Sequence, residues 1–99
     1  MTIFETLDSI GLPWAYGRFK ERVAPPFIMV MGSGQVNFKA DDKYYQSKNS
    51  YRVEYYFTDK DEETESAIEK AFLDNGFYYQ KSEDIFIESE GVFAIYYYV

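Results

Sequence analysis

Residues 51–57 alternate in polarity. Tyr51, Val53, Tyr55 and Phe57 fall on one side of an extended chain, and Arg52, Glu54 and Tyr56 on the other. A period of two predicts a strand with one drier face. An acidic run follows and the period changes: Ile68, Ala71 and Phe72 fall at helical spacing, ahead of an Asn75-Gly76 stop. Two more aromatic and β-branched runs, 77–88 and 92–99, are separated by Ser89-Glu90-Gly91. A short Gly-containing loop between such runs predicts a hairpin. The chain from 51 to 99 therefore reads strand, helix, strand, strand, with the helix covering one face of a sheet.

The N-terminal half adds to that sheet. Ile3, Phe4, Leu7 and Ile10 form a helical stripe over residues 2–10. Thr2 with Glu5 three residues later fits a capping box, and Gly11 and Pro13 end the helix. So short a helix must dock through Ile3, Phe4 and Leu7 to persist. Residues 14–19 predict a short extended piece, and Pro25-Pro26 forces an extended approach to a strand at 27–31. Gly32-Ser33-Gly34 interrupts that strand as a turn, bulge or loop tip, and 35–38 continue it. Ala40-Asp41-Asp42-Lys43 reads as a turn, Tyr44-Tyr45 as the start of a short strand, and 46–50 as a polar loop. The expected fold class is α+β: a single antiparallel β-sheet with a short N-terminal helix and one main helix packed on one face, residues 1–99 forming one domain.

Composition narrows the chemistry. The formal charge is −7, and the chain has no histidine and no cysteine. Negative charge disfavours a phosphate backbone as partner. Without cysteine there is no disulfide, thiolate metal site or thiol catalysis; without histidine the commonest general base is gone. No apolar run approaches the roughly 20 residues of a membrane span. The first residues lack a basic and then apolar leader. The expectation is a cytoplasmic, soluble protein that binds no membrane, no cofactor and no metal. Aromatic residues make up 21% of the chain, eleven of them tyrosine. Such rings suit a β-rich core with half-exposed faces, and tyrosine is also enriched in protein contacts.

The densest charge cluster is Asp59, Asp61, Glu62, Glu63 and Glu65. A calcium loop would use Asp59 and Asp61, but Thr64 stands where such a loop needs glycine. Acids crowding a helix N-terminus is the better reading. Lys70 and Asp74 are spaced to pair on the wet face of that helix. Gly32-Ser33-Gly34 lacks the Lys-Ser/Thr and following helix of a phosphate loop. Glu83, Asp84, Glu88 and Glu90 are carboxylates of the type a glycosidase pairs, yet they flank a hairpin tip, where charge also protects sheet edges. Residue chemistry thus predicts a protein that is not an enzyme.

Three stretches taken together resemble a family of small siphophage and prophage neck proteins of Gram-positive hosts, the tail-completion or tail-terminator proteins. They are Ala24-Pro25-Pro26-Phe27-Ile28, then Ala40-Asp41-Asp42-Lys43-Tyr44-Tyr45, and a set running from Tyr51-x-Val53-Glu54-Tyr55-Tyr56 through Lys60-Asp61 and Lys81-Ser82-Glu83-Asp84 to Ile87-Glu88-Ser89-Glu90-x-Val92-Phe93. The likeness spans roughly 14–99, with Asp42 where the family pattern has Asn and with Gly32-Ser33-Gly34 unplaced. It implies an α+β fold similar to the tail terminator of lambda-like phages. It also implies a virion protein at the head–tail junction, present in host cytoplasm during assembly. There it forms a ring, usually a hexamer, against tail-tube or head-side neck proteins. Whether the isolated chain assembles is left open. Contact residues expected from type and place are Gly32, Ser33 and Gly34, the turn residues Asp41, Asp42 and Lys43, and the hairpin tip Glu88, Ser89 and Glu90. The competing reading is a small acidic inhibitor of a host nuclease or other host protein.

Overall fold

The structure is a computed structural model that describes the backbone of residues 2–40 and 44–99 and the side chains of 2–34 and 49–99. Its elements are α1 (Ile3–Ile10), β1 (Trp14–Tyr16), β2 (Phe27–Ala40), β3 (Tyr44–Phe57), α2 (Glu62–Asp74), β4 (Gln80–Lys81), β5 (Ile85–Ile87) and β6 (Val92–Tyr98). One sheet carries all six strands in the order β1-β2-β3-β6-β4, with β5 also pairing β6.

Both helices form where caps and period agree. Thr2 Oγ1 accepts from the Glu5 amide at 3.2 Å while Glu5 Oε1 accepts from the Thr2 amide at 2.8 Å. Two orphan amides are satisfied reciprocally. Gly11 ends α1 at φ 91°, a left-handed conformation that a β-carbon disfavours. Asp61 caps α2, accepting from the amides of Glu63 and Thr64 and from the Thr64 hydroxyl. The acids in the first turn, Glu62, Glu63 and Glu65, sit where the helix dipole favours them.

The two helices cover one face of the sheet. Ile3 and Leu7 of α1 and Ile68 and Phe72 of α2 bury against Ile28, Val30, Val53, Tyr55, Phe57, Ile95 and Tyr97. Register explains the set: Ile28 lies opposite Tyr55, Val30 opposite Val53, Tyr55 opposite Ile95 and Val53 opposite Tyr97, so all point to the same side. Full burial of one such side chain stabilises by about 1.5–3 kcal/mol, which is how an eight-residue helix is held in place.

Three expectations are corrected. The sheet is mostly but not wholly antiparallel, because β1 pairs parallel to β2. A parallel pair needs a crossover, and residues 17–26 supply it. The 77–88 run is two short strands rather than one. It breaks where Ser82 Oγ accepts from the Tyr96 amide at 2.9 Å, a role the ladder gives to a backbone carbonyl. Residues 46–50 are strand, not loop: β3 is continuous from Tyr44 to Phe57 and pairs with β2 out to Ala40 opposite Tyr44. Gly32-Ser33-Gly34 lies inside β2 as a register shift, the bulge alternative among those the sequence allowed.

Candidate functional site

The helix face and the opposite face of the sheet carry different chemistry. On the helix face, α2 presents Glu65 and Glu69 to Lys81 of β4. Lys81 Nζ lies 3.0 Å from Glu65 Oε1 and 2.8 Å from Glu69 Oε2. Lys60 bridges Glu65 and Asp84 at 2.7 and 2.9 Å. The Glu65 Oε2 contact with Lys60 is an ion pair without hydrogen-bond geometry. Tyr97 and Tyr79 donate their hydroxyls to Glu69. Burial pushes the Glu69 carboxyl up, but the hydrogen bonds from Lys81 and Tyr97 outweigh it and hold the group below its usual range. Burial pushes the Tyr97 phenol up, with Glu69 adding to the effect. The Glu65 carboxylate, ahead of that of Asp84, holds Lys60 above its usual range. Both oxygens of Glu65 and both of Glu69 face a cation or hydroxyl, so the cluster fastens β4 and α2 together.

The other face has no helix over it. Its rows follow from register: Phe27 opposite Tyr56 and Ala94, Met29 opposite Glu54 and Tyr96, Met31 opposite Arg52 and Tyr98. Glu54 is only 6% exposed although it belongs to the side the alternation marked as wetter. It has two partners, Arg52 Nε at 2.5 Å and the Tyr56 hydroxyl at 2.7 Å. Burial pushes the Tyr56 phenol up and the Glu54 charge pushes it further, so Tyr56 stays protonated at neutral pH and donates. The Arg52 guanidinium sits 5.7 Å from the Tyr96 ring centre.

Beside this triad the 17–26 crossover stands off the sheet and leaves a cavity of about 420 Å³. Its wall is Phe19, Val23, Phe27, Met29, Tyr56 and Val92. Phe27 stacks on Tyr56 at 5.1 Å and meets Phe19 edge-on at 5.2 Å. Glu21, Arg22 and Glu90 supply its charge. An apolar cleft with a few placed polar groups is what a recognition site looks like. Its lining was missed in the sequence, although one signal was there. The run Phe27-Ile28-Met29-Val30-Met31 has no polar alternation, which marks a strand that is apolar on both faces.

At the other end of β2 and β3 the sheet narrows to a ribbon. β1 pairs β2 only over residues 28–30, and β6 pairs β3 over 52–57, with Val99 bonding Tyr51 beyond that. Past Gly34 and before Tyr51, among the described residues, β2 and β3 have only each other as ladder partners. Six residues of β2 and seven of β3 reach about 20–23 Å, and the molecule measures 51 × 26 × 25 Å. Of the expected contact residues, Gly32, Ser33 and Gly34 lie at the root of this arm, all three exposed. Glu88, Ser89 and Glu90 form the exposed turn between β5 and β6, with Glu90 at the cavity rim. Asp41, Asp42 and Lys43 lie outside the described residues. The structure brings the turn and the cavity together and sets the arm root apart from both.

Among the described residues no group of three or more carboxylates is placed to hold a metal ion, and no helix is long and apolar enough to cross a membrane. Compared with known protein families and with curated proteins, the sequence matches none at the level that marks a relative.

Proposed function

We propose that this chain is a structural, non-catalytic protein of a phage head–tail junction, acting by assembly into a ring on the tail tube or connector. The observation that carries the reading is the arm: a two-stranded ribbon with no third strand or helix beside it. Such a ribbon is marginal in water by itself and gains stability against a partner. The ordered likeness of residues 14–99 to tail-completion proteins supplies the identity of that assembly. The α+β sheet with helices on one side agrees with it.

The rival reading, an acidic mimic of nucleic acid, is weakened by where the acids go. Asp61 caps α2, and Glu65, Glu69 and Asp84 are engaged by Lys60 and Lys81. A phosphate mimic needs its charges facing outward at regular spacing.

The test is electron microscopy of particles from a strain with a stop codon in this reading frame. Filled heads separated from tails, or tails of irregular length, are expected. Intact virions of normal length would refute the neck role.

A further inference from the structure

We infer that the β2–β3 arm of one copy docks in the cavity on the open sheet face of a second copy. The inference rests on the assembly reading above and names the contact that would build the ring.

Three observations lead to it. The first is placement. The cavity lies around Phe27 and Tyr56, and the arm leaves past Met31 and Arg52 at the opposite end of the same two strands. Seven residues of extended strand, from Phe27 to Gly34, separate them before the arm begins, about 23 Å. A chain cannot fold its own arm back without unpairing β2 from β3, so an arm seated in the cavity belongs to another copy. Joining one end of a molecule to the other end of the next is a heterologous contact, the kind that closes rings or propagates filaments.

The second is charge. Residues 35–49 hold Lys39, Lys43 and Lys48 against Asp41 and Asp42, a net +1 in a chain of −7. Residues 50–99 hold twelve Asp and Glu against four Lys and Arg, a net −8. At the cavity, Glu21 and Glu90 face one Arg22. A weakly basic arm on an acidic body favours association between copies and disfavours arm against arm.

The third is shape and chemistry. The arm sequence supplies Phe38, Tyr44 and Tyr45, and the cavity is walled by rings and aliphatic chains wide enough for one aromatic side chain. Aromatic anchors in apolar pockets dominate protein contacts.

The chain has no cysteine, so single introduced cysteines report one contact each. Lys39→Cys places a thiol on the arm and Glu90→Cys one at the cavity rim. The purified variants, one carrying a mass tag, are mixed at high protein concentration and oxidised. A disulfide-linked heterodimer should exceed either homodimer and should be lost when ionic strength is raised. Alongside, sedimentation of the unmodified chain should show concentration-dependent association. That association should disappear when residues 35–49 are replaced by an Asn-Gly turn, with the urea midpoint of the body unchanged. A heterodimer no more abundant than the homodimers, or association that survives removal of the arm, would overturn the inference. The two failures are distinguishable. A neck defect without the 39–90 cross-link retires the arm contact alone, and intact mutant virions with the cross-link retire the neck role alone.

Discussion

Replacing Lys81 by Met removes an ammonium while keeping its aliphatic stem over Tyr97. The two carboxylates it meets differ in their remaining support: Glu65 keeps Lys60 at 2.7 Å, and Glu69 keeps the Tyr97 and Tyr79 hydroxyls. Glu65 has 4% of its side chain exposed, Lys81 34%. Removing one partner of a fully buried ion pair costs about 3–5 kcal/mol. Partial exposure of Lys81 and the surviving partners bring the expectation down to about 1.5–3 kcal/mol. The internal control is Lys70→Met, which breaks a 2.5 Å pair on the same helix whose side chains are 75% and 59% exposed. Distance alone would rank Lys70 as the stronger contact. Solvent screening ranks it far weaker, below about 0.5 kcal/mol. Urea unfolding followed by Trp14 fluorescence measures both. Trp14 is the sole tryptophan, packed on Phe4 at 5.9 Å and bonded to Asp8, so its emission reports loss of α1 from the sheet. For a domain of this size the Lys81 loss corresponds to a melting point lower by roughly 10 °C. In the double variant with Glu65→Gln the two losses should fall short of adding, because each removes part of one network. If Lys81→Met costs no more than Lys70→Met, the cluster is hydrated in solution and the reasoning from burial is wrong.

Phe72→Ala should cost about 3–5 kcal/mol by the same unfolding assay. The ring is fully buried between α2 and the sheet, 5.5 Å from Tyr97 and 6.0 Å from Tyr79. Gly32→Ala should destabilise by about 1 kcal/mol, because its β-carbon would lie 3.0 Å from the Tyr16 hydroxyl that now bonds the Gly32 amide. Tyr16→Phe should absorb most of that loss in the double variant. Glu69 ionises below its usual range in the fold, so its stabilisation is complete above the unfolded value of about 4.3. It disappears as pH falls through the lower folded value. The urea midpoint should therefore drop below that pH, and drop less steeply in Glu69→Gln.

How much of this was legible depended on whether the signal was local. The capping box at Thr2 and Glu5, the Asp61 cap, the alternation over 51–57 and the Asn75-Gly76 stop are each set within a few residues, and each formed as read. The parallel pairing of β1 was not legible, since three residues of strand carry no directional mark. The arm was misread because Gln46, Ser47, Lys48, Asn49 and Ser50 are weak strand formers; pairing with β2, not propensity, extends β3 through them. Glu65 was read as one more solvated acid at a helix start. Its burial depends on Lys60 and Lys81, which approach from the loop before the helix and from β4, and no spacing rule links those positions. Of the contact residues named from loop type, Glu90 borders the cavity, and Gly32-Ser33-Gly34 lies inside a strand as a register shift.

The two faces of the sheet differ in what they hold. The helix face holds the core, the caps and the ion network, all closed within one chain. The open face holds an apolar cavity bordered by Glu21, Arg22 and Glu90, and beside it the Glu54 carboxylate is already satisfied by Arg52 and Tyr56. That satisfaction matters for association. A buried carboxylate with spare acceptors would oppose covering of the face, because desolvating it costs several kcal/mol. With Glu54 paired inside the chain, a partner meets rings, methionines and one guanidinium lying over Tyr96. The open face is therefore a surface whose covering costs little. Among the described residues, the arm is a stretch whose two strands have only each other as ladder partners.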